Sequence, residues 1–419
     1  MTGASRLLAW WSARGQAALA FAVGLMTVAT VVNLVTRLAQ LLLWGGGRDL
    51  KHRFDEAHRY FAGVPVYQEM FTANYPPASY VMLWPFVGFS SLVLVKWIWA
   101  FTSLAALAWL AFLLVRESGA QTRRECSFIA LLPLCAYATG STIGHGQLTI
   151  HILPCLLLGL ILICREPGRW RDDLLGGALV LAALVKPTIS APFFWLVLLL
   201  PGRLRPALLV GLGYVAVSLF ATEFQGFGIV SAHLAWVQNL GNASSVASAG
   251  TGLGIGNYGN LNTWLGAVGL VEWNLVASVT TLVLLAGWIL RHRQGDFWLL
   301  LGVVALVARL WSYHRLYDDM LILFPMITLF RIAKQEPGRD GQDVVAGVLL
   351  ASALVALMFP STLLGYLPSA GSFLLDACRS LQTSIWLAML LFLLYRAELE
   401  NRQRRDELAG TPELADTRG

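Results

Sequence analysis

The chain has 419 residues, of which 57% are hydrophobic and only 13% charged, with a formal net charge of +6. Soluble domains carry about 25% charged residues, so this composition excludes an ordinary soluble enzyme and points to a polytopic membrane protein. The 16 Trp agree, because Trp gathers at bilayer interfaces. The basic residues lie in short turns between apolar runs, which argues for membrane lipids and against nucleic acid as a partner.

In chain order, Arg6 and Arg14 place the N-terminus in the cytoplasm. The apolar run from Ala17 to Trp44 crosses outward; it exceeds a signal h-region and ends at no convincing small-residue cleavage site, so no cleavable signal is expected. Gly45 to Pro77 is a polar outer loop, and Ser79 to Ser90, short and holding Pro85, is re-entrant or interfacial. Spans follow at Leu92–Val115, Cys126–Gly144 and Gln147–Cys164. Leu174–Val185 and Ile189–Leu200 form an out-and-back pair hinged at Lys186-Pro187. Pro206–Thr222 crosses outward to a long loop, Glu223 to Glu272, rich in Gly, Asn and Ser. Leu275–Leu290, Phe297–Leu310, Leu316–Phe330, Val344–Pro360 and Ser384–Tyr395 complete the set. The sum is about 12 transmembrane helices, with the usual minimum of about 17–20 residues relaxed for the hinged pair.

The domain reading is one integral-membrane domain over residues 1–395, with a charged cytoplasmic tail, frayed by its composition, over 396–419. Each turn assigned inside carries Arg or Lys, while Glu223–Glu272 has none, as the positive-inside rule requires. The Gly45–Pro77 loop breaks that rule with Arg48, Lys51, Arg53 and Arg59. A loop that keeps cations outside needs them, and this one also holds Asp49, Asp55 and Glu56. The five Cys show no metal-ligand spacing, and four lie in apolar runs, so they read as buried thiols.

Leu50 to Ala62 reads as an amphipathic interfacial helix, with Phe54, Ala57 and Phe61 on one face and Gly63 as its stop. Asp49 precedes it after three glycines. Two roles suit it: an N-cap for the first turn, or a general base that deprotonates a hydroxyl. Asp55 stands four residues before Arg59 and reads as a helix-surface ion pair.

Asp49, thirteen further residues, Gly63, then Pro65 and Tyr67, and finally Tyr75-Pro76-Pro77 make a pattern. It resembles the first outer loop of glycosyltransferase family 87. Gly146-Gln147, Lys186-Pro187, the Asn257–Trp264 stretch and the polar cluster from His314 to Asp319 are similar to later, shorter motifs of that family. The chain departs from the pattern at Lys51-His52-Arg53, where aromatic and apolar residues are commoner, and in the Asn stretch. The resemblance implies a C-fold membrane glycosyltransferase that moves a sugar, mannose by default, with inversion. The donor would be a polyprenyl-phosphate sugar, and the acceptor a lipid- or glycan-linked hydroxyl on the extracytoplasmic side of a bacterial plasma membrane.

In that scheme Asp49 is the base and no cofactor or metal is required, since a monophosphate leaving group has no pyrophosphate to chelate. Arg48, Arg53, Arg59, Lys186, Arg309, His314 and Arg315 are candidates for the donor phosphate. Tyr75, His145, Gln147, Asn260, Asp318 and Asp319 are candidates for sugar or acceptor contacts. Each has a plainer reading: Lys186 snorkelling to headgroups, His314 and Asp318 a satisfied i, i+4 pair, the Asn residues ordinary turns. The competing function is a transporter or flippase of lipid-linked sugar, whose ionisable groups would sit at the midplane of repeat-related spans. The charge cluster in an outer loop favours the enzyme.

Overall fold

The computed structural model describes residues 3–165, 169–226, 228–249, 259–335, 341–359 and 371–410, and among them there is no strand. Helix α1 (Gly3–Leu42) leads to α2 (Arg48–Phe61), α3 (Val66–Glu69) and α4 (Pro77–Val87), which fold the polar loop and the short segment after it. Next come α5 (Leu92–Glu117), α6 (Arg123–Cys135), α7 (Tyr137–His145) and α8 (Thr149–Arg165). The hinged pair is α9 (Trp170–Ala183) and α10 (Pro187–Leu199), followed by α11 (Leu204–Thr222). The long loop contains α12 (Ile229–Ala249), α13 (Leu261–Ala267) and a 3-10 turn at Val271–Trp273. After α14 (Asn274–His292) and α15 (Phe297–Leu310), a 3-10 segment, Leu316–Ile322, enters α16 (Leu323–Ala333). Helices α17 (Gln342–Met358) and α18 (Gly371–Gly410) close the bundle.

Five of these helices contain stretches long and apolar enough to cross a membrane, and α6 with α7, bent by 42°, make a sixth. Among the described residues, length and composition thus support up to six spans of the expected total of about 12. Helices α8, α10, α15 and α17 are apolar but only 10–17 residues long. Three of them stop where polar residues begin, at Gln147, Lys186 and Ser312. Helices α15 and α16 are buried almost throughout and form the centre of the bundle. One expectation changes. Helix α18 runs on to Gly410 instead of fraying after Tyr395, because Arg396 bonds Gln342, Gln335 and Glu400 while Arg291 pairs with Glu398. Within the long polar loop expected from Glu223 to Glu272, Ile229–Ala249 and Leu261–Ala267 are helical.

Side-chain pairs divide the bundle into two ends. At one, Arg331 and Lys334 reach the carbonyls of Glu117 and Gly119, and Lys334 pairs with Glu125. Arg203 reaches the carbonyl of Cys164, and Arg205 pairs with Asp173. The described turns around Glu117–Glu125, Arg203–Arg205 and Arg331–Lys334 carry basic residues there. Helices α8, α9, α10 and α15 each run from it to the other, where Gln147, Lys186 and Asp318 collect. Helices α9 and α10 therefore run in opposite directions, with Lys186-Pro187 at the far end.

Candidate functional site

The site is built where two glycine-rich stretches meet. The α6–α7 break at Ala136 follows Pro133 and frees carbonyls, which are met by the Asn33 amide (Ala136 O, 2.9 Å) and the Thr139 hydroxyl (Pro133 O, 2.5 Å). Irregular backbone at membrane depth needs such partners. Gly140 and Gly144 then let α7 lie against α1: a Cβ on either would collide with Asn33 or Gln40. The next contact passes to the loop, where the Gly47 N–H donates to the Gly144 carbonyl at 2.9 Å. A Cβ on Gly46 would stand 2.4 Å from the Gln40 carbonyl oxygen, and one on Gly146 2.4 Å from the Cβ of Leu50. Gly146 also sits at φ +72°, in the left-handed region, which glycine alone adopts cheaply.

This interlock seats α2. Gly47, itself left-handed at φ 77°, holds the N-cap position without a side-chain bond, so Asp49 is not the cap; it lies inside the first turn. A carboxylate there is favoured by the helix dipole. Its Oδ2 accepts a hydrogen bond from the Gln147 Nε2 at 2.5 Å. The half-buried carboxylate lies within electrostatic reach of Tyr75, His145, Lys186, Arg315 and Tyr317.

Opposite stands a buried polar centre. Asp318 accepts from Lys186 Nζ (3.0 Å) and Thr149 Oγ1 (2.9 Å) on one oxygen, and pairs with His314 Nδ1 (3.0 Å) on the other. The ammonium of Lys186 also lies 5.0 Å from the centre of the Tyr317 ring. Lys186 keeps some exposure, at 14% of its side chain, whereas His314 is fully enclosed. Asp319 is held separately by Arg309 and by the Tyr137 hydroxyl, which Gln382 also contacts. Asn260 N-caps α13 and donates to the His314 carbonyl.

The predicted residues therefore separate. Asp49, Gln147, Lys186, Asp318, His314 and, by its proximity to Asp49, Arg315 come together at one end. Arg315 is exposed, with its Nε on the Tyr313 hydroxyl at 2.6 Å. His145 lies beside Asp49, at the C-terminus of α7. Arg48 is exposed at the start of α2.

Arg53 is buried instead, bonded to Glu56, Asn74 and the Thr72 carbonyl and stacked 4.3 Å from the Tyr75 ring centre. Arg309 spends its guanidinium on Asp319 and the Gly259 carbonyl. Arg59 faces Glu69 at 3.7 Å, not Asp55. Asn257 lies outside the described residues. Sequence reasoning missed Thr149 and Tyr137, which stand in largely apolar runs of sequence, and gave Tyr317 no role within the His314–Asp319 cluster. Glu56, one of the loop's acids in the sequence, is fully enclosed beside Arg53 and the Tyr80 hydroxyl, which the sequence did not show. Burial outweighs the pull of Arg53 and pushes the Glu56 carboxyl up to about 7. Burial and the neighbouring Arg53 charge hold His52 below the ordinary imidazole range.

Residues 71–324, more than half of the chain, match the family model of glycosyltransferase family 87. The match includes Tyr75, His145, Gln147, Lys186 and the Arg309–Asp319 region, and begins after Asp49 and α2. No curated protein and no solved structure matches the chain.

Proposed function

The chain belongs to glycosyltransferase family 87, and from that membership we propose that it is a C-fold membrane enzyme transferring a hexosyl group, mannosyl in the simplest case, from a polyprenyl-phosphate sugar to a lipid- or glycan-linked hydroxyl. The observation that carries this reading is that Asp49, held by Gln147, lies within electrostatic reach of Lys186, which bonds Asp318. By the positive-inside rule the basic end is cytoplasmic, so the reaction is extracytoplasmic.

Asp49 acts as general base. Gln147 holds Oδ2 and leaves Oδ1 to take the proton of the acceptor hydroxyl. The freed oxygen attacks the anomeric carbon from the face opposite the leaving group. The bond from that carbon to the phosphate oxygen breaks, and polyprenyl phosphate departs with the electron pair, inverting the centre. Lys186 and Arg315 are the cations placed to meet the departing charge. Lys186 has three donors and gives one to Asp318. His314 and Thr149 hold Asp318, and so position Lys186 from behind. Arg53 and Arg309 belong to the scaffold in this scheme, their donors being taken by protein groups.

The test is transfer by purified protein in lipid nanodiscs, given a panel of radiolabelled polyprenyl-phosphate hexoses, matched nucleotide sugars and membrane lipid extract. Label should move from at least one lipid-phosphate sugar and from no nucleotide sugar. Transfer from nucleotide sugars alone would contradict the donor class.

A further inference from the structure

Beside the Asp49–Lys186 centre lies a second group of polar side chains that the scheme above does not use. Asn262 and Asn274 are both more than nine-tenths buried, each at 8% exposure. The Oδ1 of Asn262 and both carboxamide atoms of Asn274 have no hydrogen-bond partner. A buried polar atom left unsatisfied costs about 1–3 kcal/mol, and native proteins hold few of them without a functional reason. Three in neighbouring elements form a group to be explained.

Hydrogen bonds of neighbouring residues tie the elements of both asparagines to the same segment. Asn260, two residues before Asn262, donates to the His314 carbonyl at 3.3 Å. Ser278, one helical turn beyond Asn274 and on the same face, donates to the Trp311 carbonyl at 2.9 Å. Helices α13 and α14 thus flank the Trp311–His314 segment, whose last residue holds Asp318. Trp311 itself donates to the Thr188 carbonyl, next to the Lys186 hinge. The pair therefore stands at the same end of the bundle as the reacting groups.

We propose that Asn262 and Asn274 form a hydroxyl-recognising subsite for an uncharged sugar ring, a reading that rests on the sugar-transfer function above. The chemistry selects the ligand class. A carboxamide offers a donor and an acceptor without net charge, which matches ring hydroxyls, each able to donate and accept. It does not match a phosphate, which needs cations, nor an alkyl chain, which would leave the amides orphaned. The Oδ1 of Asn262 and the whole carboxamide of Asn274 are therefore assigned to binding, since they satisfy no protein group.

Two arms test this with the whole protein in nanodiscs. The first measures the thermal shift produced by octyl hexosides (gluco, manno and galacto) against octyl tetraoxyethylene, which has the same chain and no ring. The second uses a short polyprenyl-phosphate mannose against the sugar-free polyprenyl phosphate. For wild type, at least one sugar-headed ligand should stabilise more than its ring-free partner. In Asn262→Ala and Asn274→Ala that increment should fall at least several-fold, while the variants melt no lower than wild type without ligand. Loss in the first arm assigns the ring to the acceptor, and loss in the second alone assigns it to the donor. Undiminished increments in both variants, no increment in wild type, or a lower melting temperature for both unliganded variants would each overturn the subsite. Normal sugar transfer with no ring-dependent shift would sink this inference alone, whereas a ring-dependent shift without transfer from any donor would sink the proposed function alone.

Discussion

Asp49 and Asp55 are both carboxylates on α2, and only their surroundings separate them: Asp49 is held by Gln147, while Asp55 has no such partner. Spacing in the sequence marked Asp49 but left its role open between cap and base. The structure removes the cap, because Gly47 takes that place. The cations were harder to sort. Arg53, Lys186 and Arg309 all look alike as charges beside apolar sequence, and burial distinguishes them only after folding. Arg309→Gln should destabilise the fold by about 3–5 kcal/mol, the usual result of removing one partner of a buried pair. Lys186→Met should keep the fold closer to wild type, since Asp318 retains His314 and Thr149, and should instead raise the donor concentration needed for half-saturation. Melting curves and donor titrations of the two variants, side by side, check this. Glu56 gives a pH prediction. Its folded pKa of about 7 lies above the 4.5 of the free side chain. Between those values the native state binds the extra proton, so stability falls as pH rises through that window. Thermal melts of wild type and Glu56→Gln from about pH 4.5 to 8 should show that slope flattened in the variant.

At the scale of elements, α2 and its glycines decide the site. The amphipathic pattern after Asp49 gave away the helix, and its observed start, Arg48, differs by two residues from the predicted Leu50. What no pattern revealed was the partner of the glycines. Gly45-Gly46-Gly47 and Gly144–Gly146 are some hundred residues apart, and their interlock is a backbone contact that leaves no side-chain signature. Gly146→Ala tests it. The added methyl would meet Leu50 and force a left-handed alanine, strain of about 1–2 kcal/mol before any clash. It should displace α2 and lower transfer at least as far as Gln147→Ala does, with the helical content of the bundle unchanged by circular dichroism. Normal transfer by Gly146→Ala would show that the interlock does not set the distance from Asp49 to Gln147. The Gly, Asn and Ser of the Glu223–Glu272 stretch favour turns, so its composition hides its helices. Tertiary contacts made parts of it helical, including the Trp236 and Asn239 bonds to carbonyls of the first loop.

The whole molecule has polar groups of two kinds at two ends, and nothing among the described residues points to a transporter. Charge in the sequence grouped the basic turns, and the described ones around Arg203, Arg331 and Lys334 bond to helix ends by their own side chains. The number of full spans was not legible, because apolar runs that end at site residues read as membrane-length until the polar boundary is placed. On a cysteine-free background, Arg59→Cys, exposed at the site end, should react with an impermeant maleimide from outside intact cells, and Arg405→Cys only after permeabilisation. The reverse pattern would turn the active site inward. The central claim is that Asp49 is the base of a sugar transfer. It is tested most directly by measuring transfer from a polyprenyl-phosphate hexose by Asp49→Asn, with Asp55→Asn as control and a melting curve for each. Loss of the first-turn charge should cost at most about 0.3–1 kcal/mol of stability. Turnover by Asp49→Asn should fall by about 10²- to 10⁴-fold, with Asp55→Asn near wild type. Near-normal transfer by a folded Asp49→Asn protein would contradict the account.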